Sequence, residues 1–297
     1  MSKRRAGHSV TVLIVRVTLL LALLMGSGCA WLDMHQRQII YRPTSGTPQN
    51  FEGLRAGDAR YFVNVPSTNA PQQLAIWWLP HMAPNAPTLL YLHGTFRNLF
   101  QNLHKIESLR AAGYSVLAVD YRGWGESTAI IPSEASIVAD AQLAWSELKK
   151  HQPNTRQRVI YGHSMGSGVA VDLASRLPPV DYGGLVLESA FTSFTDVAHA
   201  SGWLARLLSL FNREQFASID KIRQVQVPLL MLHGSLDTTI PIQLGQQLFA
   251  AANPPKQWLA IEGAAHSDLD LVNPALYQAT LRGFAANYLS GPSTEKR

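Results

Sequence analysis

The chain has 297 residues, 46% apolar and 15% charged, with a net charge of +5 and one cysteine. This composition excludes a disordered, collagen-like or coiled-coil protein, and a single Cys excludes an internal disulfide or a cysteine-cluster metal site. Lys3, Arg4, Arg5 and Arg16 supply four of the five excess positive charges, so the remainder is nearly neutral and carries no nucleic-acid signature.

The first 28 residues join that basic start to an apolar run from Val10 to Met25, broken only by Arg16 and threonines. Gly26, Ser27 and Gly28 follow. This is the pattern of a secretory targeting segment, and the run is short of the ~20 apolar residues a membrane-spanning helix needs. The chain's sole cysteine, Cys29, comes next. Small residues before it resemble a bacterial lipoprotein signal, although Gly26 stands where an aliphatic residue is usual. The resemblance implies that Cys29 is lipidated and that the protein sits on a membrane of the cell envelope, facing the periplasm or exterior. An uncleaved anchor and simple secretion are the alternatives. Residues 29–58, with Pro43, Gly46, Pro48, Gly53 and Gly57, read as a tether.

The body, 59–290, alternates strands with helices, and 291–297 is a tail. Runs at 61–65 and 74–79 read as an antiparallel pair at a sheet edge. Runs at 88–92, 116–119, 159–161, 185–187, 229–232 and 258–261 are apolar on both faces, as strands of a covered parallel sheet are. Between them, Ile137, Ala141, Ala144, Trp145 and Leu148 share one helical face, with Ser133 as N-cap. Leu99, Leu103 and Ile106 mark an earlier helix that Gly113 ends. Further helices are expected over 165–177, 244–251 and 275–288. The fold class is therefore α/β: a mostly parallel sheet with helices on both faces. The 40 or so residues after the sixth strand break the rhythm. They read as a small cap over 191–222, or as one amphipathic helix with its connection. Leu204, Leu207, Leu208 and Phe211 lie at helical spacing there, a stripe that would face a cleft or only pack the cap.

Gly162-His163-Ser164-Met165-Gly166 directly follows one strand and opens a helix. Such a turn lifts the Ser hydroxyl above the sheet, with the helix N-terminus beneath it. Serine is a weak nucleophile without a base and an acid to orient that base. Asp237 and His266 each follow a later strand end, in the order Ser, Asp, His, on the sheet edge where α/β proteins place ligands. Glu188, after the sixth strand, is a reserve acid or a structural carboxylate. His93, His163 and His233 are expected to pack and hydrogen-bond.

With these residues in place, the chain resembles the α/β-hydrolase superfamily over about 60–290. His93-Gly94-Thr95 is similar to its oxyanion loop, the stretch from Asp120 to Ser127 to its D-Y-R-G-x-G-x-S segment, and Leu232 to Asp237 and Gly263 to His266 to its later motifs. The stretch from Leu187 to Ser193, with the short cap, resembles the serine-aminopeptidase-like (S33) and Bem46-like group. The resemblance implies a serine hydrolase of esters, thioesters or lipid-like acyl compounds, with Ser164, His266 and Asp237 as triad and Thr95 and Met165 as oxyanion-hole donors. A peptidase with the same triad, and a non-catalytic binding module on the same fold, are the alternatives. A peptidase would need a pocket carboxylate, for which Glu126 and Glu188 are candidates. No cofactor or metal is expected; neither a H-E-x-x-H motif nor a phosphate-binding loop occurs.

Overall fold

The computed structural model describes Gly28 and residues 31–290 apart from Glu52, Asn69 and Phe211. The targeting run, Cys29 with its expected lipid, and the tail lie outside the described residues. Among those described, no helix is long and apolar enough to cross a membrane.

Eight strands form one sheet in the order β1-β2-β4-β3-β5-β6-β7-β8. β1 (Ala59–Val65) and β2 (Gln72–Leu79) are the antiparallel edge pair, and β2 also runs antiparallel to β4 (Ser115–Asp120). From β4 onward every pairing is parallel: β3 (Thr88–Leu92), β5 (Arg158–His163), β6 (Gly184–Glu188), β7 (Leu229–Gly234) and β8 (Lys256–Ile261). The middle strands are buried along their whole length, whereas β8 is mostly half-buried because it closes the sheet at an edge.

Side chains alternate across the pleat, so each strand feeds two cores. Leu90, Leu117, Ile160, Leu185 and Met231 pack on one face with α3 (Glu134–His151), α4 (Met165–Arg176) and α8 (Ile242–Ala251). Tyr91, Val116, Val159, Val186 and Leu230 pack on the other with α2 (Leu103–Ala111) and α10 (Pro274–Tyr288). α3 begins at a Ser133 cap, whose hydroxyl accepts from Ser136 N, and its apolar stripe is buried as the spacing predicts. The cap contains two short helices, α5 (Phe194–Ala200) and α6 (Trp203–Ser209), before α7 (Ser218–Lys221) returns the chain to α4.

The expected tether needs correction over its described part. Residues 31–41 form a helix, α1, and the chain after it is stitched to the domain. Tyr41 is fully buried and its hydroxyl donates to Glu214 on the cap return. Gly46 N donates to Gly125 O at 2.7 Å and Gly125 N to Thr44 O at 2.8 Å. Phe51 packs edge-on against Phe100, with ring centroids 4.7 Å apart. The Pro and Gly residues that suggested a flexible linker are turn residues of a segment held by backbone bonds and aromatic contacts.

That packing is measurable. Tyr41→Phe leaves the buried Glu214 short of a donor and should cost about 1–3 kcal/mol. Tyr41→Ala adds a cavity and should cost about 3–5 kcal/mol, read from urea denaturation midpoints. A free tether would make both substitutions silent.

Candidate active site

Four strands bring the site together at their carboxyl ends. β5 delivers Ser164, β3 the loop His93-Gly94-Thr95, β7 Asp237 and β8 His266. Ser164 has φ 56° and ψ −125°, a left-handed conformation that a non-glycine residue adopts only when its surroundings enforce it. The enforcement is visible at its neighbours. A Cβ on Gly162 would lie 2.2 Å from Gly166 O, and one on Gly166 would lie 2.0 Å from Leu92 O. The end of β3 thus presses directly on the first turn of α4.

Ser164 Oγ lies 2.8 Å from His266 Nε2, and His266 Nδ1 lies 2.8 Å from Asp237 Oδ2. In this chain the Ser hydroxyl donates to Nε2 and the Nδ1–H donates to the carboxylate. Asp237 Oδ1 accepts from the backbone N–H groups of Thr239 and Ile240, each at 2.9 Å. His233 Nε2 sits 3.3 Å from Oδ2 and 3.0 Å from Ile240 O, so its N–H reaches both. Burial works to raise the Asp237 pKa. The hydrogen bonds from His233 and His266, the adjacent His266 ring and the Ile240 N–H outweigh it and hold the carboxyl well below its usual range. Asp237 is therefore ionised at neutral pH.

The loop carrying His266 is fixed by its backbone. Its carbonyl accepts from Ser189 Oγ at 2.9 Å and lies 3.2 Å from His163 Nε2. Burial, with Lys105 and His266 nearby, pushes the His163 pKa well below that of a free imidazole, so this ring is neutral. Below it is a buried polar cluster. Lys105 Nζ donates to Glu188 Oε1 at 2.6 Å and to Asp270 Oδ1 at 2.7 Å, and Tyr277 and Tyr161 hydroxyls donate to Glu188 Oε2. Asp270 belongs to α9 (Leu269–Val272), directly after His266. Glu188 is therefore consumed by Lys105 and two tyrosines and is no reserve acid for His266.

The loop His93-Gly94-Thr95 is held from behind. His93 and Asp120 are both fully buried, 3.4 Å apart. Burial pushes His93 down to about 4 and Asp120 up to about 8, so the contact is between neutral groups rather than an ion pair. In front, Phe96 N donates to Tyr41 O at 3.5 Å and the Thr44 hydroxyl donates to Phe96 O. The chain following α1 thus anchors the residue next to Thr95. A Cβ on Gly94 would come within 2.9 Å of Ser164 Cβ, which shows how closely this loop approaches the serine.

Two cavities meet at Ser164. One, of about 570 Å³, is lined by apolar side chains: Ile39 and Ile40 of α1, Phe191, Phe194 and Val197 of the cap, and Met165. The other, of about 890 Å³, is the more polar of the two, with Arg97, Gln101, His104, His266 and Asp268 in its wall. Thr95, Phe96, Ser164 and Thr239 border both. The expected α6 stripe is only partly in the wall. Leu208 lines the apolar cavity with Ala205, while Leu204 and Leu207 are about half exposed elsewhere and Phe211 lies outside the described residues. No group of three or more His, Cys, Asp or Glu residues is set to hold a metal among the described residues.

A 272-residue alignment pairs this chain with an uncharacterized protein of Mycobacterium tuberculosis (strain ATCC 25618 / H37Rv), at 31% identity over 90% of this chain and 93% of that one. The family model described as "Serine aminopeptidase, S33" matches residues 83–215. The chain belongs to the α/β-hydrolase superfamily. It is also similar to lysophosphatidylserine lipase ABHD12 of Danio rerio, 34% identical over 61% of this chain and 51% of that protein, so it spans about half the length of that relative. The Pyrococcus furiosus esterase Pf2001 superposes with a TM-score of 0.64 at 19% identity, covering 82% of this chain and all of that one, a likeness of fold.

In this member of the superfamily, Ser164, His266 and Asp237 form one chain of hydrogen bonds, and Thr95 and Met165 stand with Ser164 in the wall of the apolar cavity. Sequence reasoning missed the α1 wall, although Trp31, His35 and Ile39 stand at i, i+4, i+8 and signal a helix face. It also missed Ser189 and the Lys105 cluster, whose partners are far apart in the chain. Gly94→Ala should lower kcat/KM for any turned-over ester by about 10²-fold or more, the size of losing one oxyanion donor. Its melting temperature should fall only slightly, because the added methyl meets Ser164 rather than the core.

Proposed function

We propose that the protein is a serine hydrolase that cleaves the carboxylic ester of a single-chain lipid or similar acyl compound. The observation that carries this reading is the Ser164–His266–Asp237 hydrogen-bond chain at the junction of an apolar and a polar cavity. His266 takes the Ser164 proton as Oγ attacks the acyl carbon. The backbone N–H groups of Thr95 and Met165 receive the developing oxyanion, each contributing about 2.7–4 kcal/mol in the transition state. The acyl group stays on Ser164 while the alcohol leaves with the proton from His266. Water, activated by the same imidazole, then releases the acid. Asp237, held ionised, fixes the His266 tautomer.

The apolar cavity takes the acyl chain, each buried CH₂ gaining about 0.8 kcal/mol. The polar cavity takes the alcohol side, with Arg97 and His104 facing its head group. The name of the lipase relative, whose substrate is a one-chain lipid with a polar head, supports this division. A peptidase reading, suggested by the name of the matching family model, requires a carboxylate for the substrate amine. Glu126 is bound to Arg60 and Thr47, and Glu188 to Lys105, and neither lines the cavities. Asp268 does stand in the polar wall, with Oδ1 accepting from Ala265 N at 2.7 Å, and is the one carboxylate there that a peptidase could use.

Ser164→Ala and His266→Ala should each abolish most hydrolysis in a folded protein, and Asp237→Asn should lose about 10⁴-fold, as a triad that loses its tautomer control does. Across p-nitrophenyl esters, kcat/KM should rise from acetyl to longer chains, and Leu208→Asp should flatten that rise. A flat profile with faster turnover of aminoacyl amides would promote the peptidase.

The placement at the membrane is a second proposal, supported by the N-terminal sequence: Cys29 carries lipid and the domain faces away from the cytoplasm. Mass spectrometry of the membrane fraction should find a diacylglyceryl-modified N-terminal Cys29. Intact residues 1–28 on the mature chain would replace this with an uncleaved anchor.

A further inference from the structure

The outer wall of the apolar cavity consists of two elements that are apolar on their exposed sides as well. Trp31, Leu32 and Ile39 of α1 and Leu208 of α6 line the cavity, and Gln36 Nε2 donates to Leu208 O at 3.1 Å, so the elements touch. Yet Ile39 remains 66% exposed. Beside them, Trp203, Leu207 and Leu210 take no part in the wall and are 78%, 51% and 72% exposed. Leu204 and Phe96 add to the same side-chain set, both about half exposed. Scattered exposed leucines need no explanation, but a group of this size around a cavity marks an interaction surface.

Two observations identify what covers it. Between Asp196 and Glu214 the chain has Arg206 and Arg213 and no acidic residue, a charge pattern suited to anionic head groups. Upstream, five residues, 26–30, separate the apolar run ending at Met25 from Trp31. Even fully extended they span no more than about 20 Å. If the run, or lipid on Cys29, sits in a bilayer, α1 lies within that reach of the surface.

We propose that α1 and α6 together form a membrane-docking face that seats on an anionic bilayer and opens the apolar cavity toward it. Trp203, with its amphipathic ring, lies at the head-group level, and Leu204, Leu207 and Leu210 enter the boundary with the acyl region. Arg206 and Arg213 pair with lipid phosphates. An acyl chain then passes between apolar surfaces without crossing water. The opening of the cavity toward lipid rests on the acyl-site reading above; the seating of the face does not.

The test uses the full chain reconstituted in phosphatidylethanolamine–phosphatidylglycerol vesicles. Trp203→Glu combined with Leu207→Glu should lower kcat/KM for a long-chain monoacyl ester carried in the vesicles at least tenfold. Hydrolysis of a soluble short-chain p-nitrophenyl ester should stay within twofold, which also shows that the variant is folded. Lipids brominated on their acyl chains should quench the wild-type tryptophan fluorescence more than that of Trp203→Phe. Equal effects on both esters, or quenching that does not depend on Trp203, would overturn the proposal. So would self-association of the wild type that the double substitution abolishes, since a second copy would then own the face. If the wild type cleaves neither ester, the acyl-site reading fails, and the quenching comparison still decides the docking.

Discussion

The carbonyl oxygen of Leu92, at the end of β3, stands where a Cβ on Gly166 would have to go, only 2.0 Å away. This contact lets α4 start directly behind β3, and it forces the backbone at Ser164 into its left-handed turn. The hydroxyl lies 2.8 Å from His266 Nε2. The same closeness brings Gly94 against Ser164 and sets Thr95 beside it. Backbone packing, rather than side-chain hydrogen bonding, therefore fixes the position of the serine.

The polar groups around this turn illustrate two ways of burying charge. Lys105 is fully buried and keeps its charge, because Glu188 and Asp270 sit at contact distance and two tyrosines complete the hydrogen bonding of Glu188. Burial opposes that charge, but the two carboxylates more than offset it, and the Lys105 pKa is raised. His93 and Asp120 have no such counter-charges and shed theirs instead. Both solutions rigidify loops of the site, one behind His266 and one behind Thr95.

Most of the sheet was legible because its strands are locally self-declaring. Continuous apolar runs such as Thr88–Leu92 and Leu229–Gly234 have no competing helical period, and the turn residues after them carry motifs. Ser164, Asp237 and His266 could be singled out because each follows a strand end. Residues 29–58 were harder. Proline and glycine there resemble linker punctuation, and the bonds that fix the segment run to Gly125, Phe96 and Glu214, none of them a sequence neighbour. The direction of the α6 stripe was not legible for a related reason: helical spacing gives a common face but not where it points. Leu208 faces the cavity, while Leu204 and Leu207 do not. Long-range partnership also hid Lys105, whose contacts lie 83 and 165 residues away.

Those separations bear on how the molecule is made. Ser164 and its turn can form once β3, β5 and α4 exist. Lys105, however, waits for Asp270, and Tyr114 donates its hydroxyl to Leu281 O, 167 residues later. A nascent chain that has reached residue 260 carries Ser164 but neither His266 nor the helix that closes the second core. Contacts of this range close late, because the loop entropy must be met before they contribute. The Ser164–His266–Asp237 chain of hydrogen bonds is thus completed only by the final few dozen residues, and a chain that ends before His266 carries Ser164 without its imidazole partner.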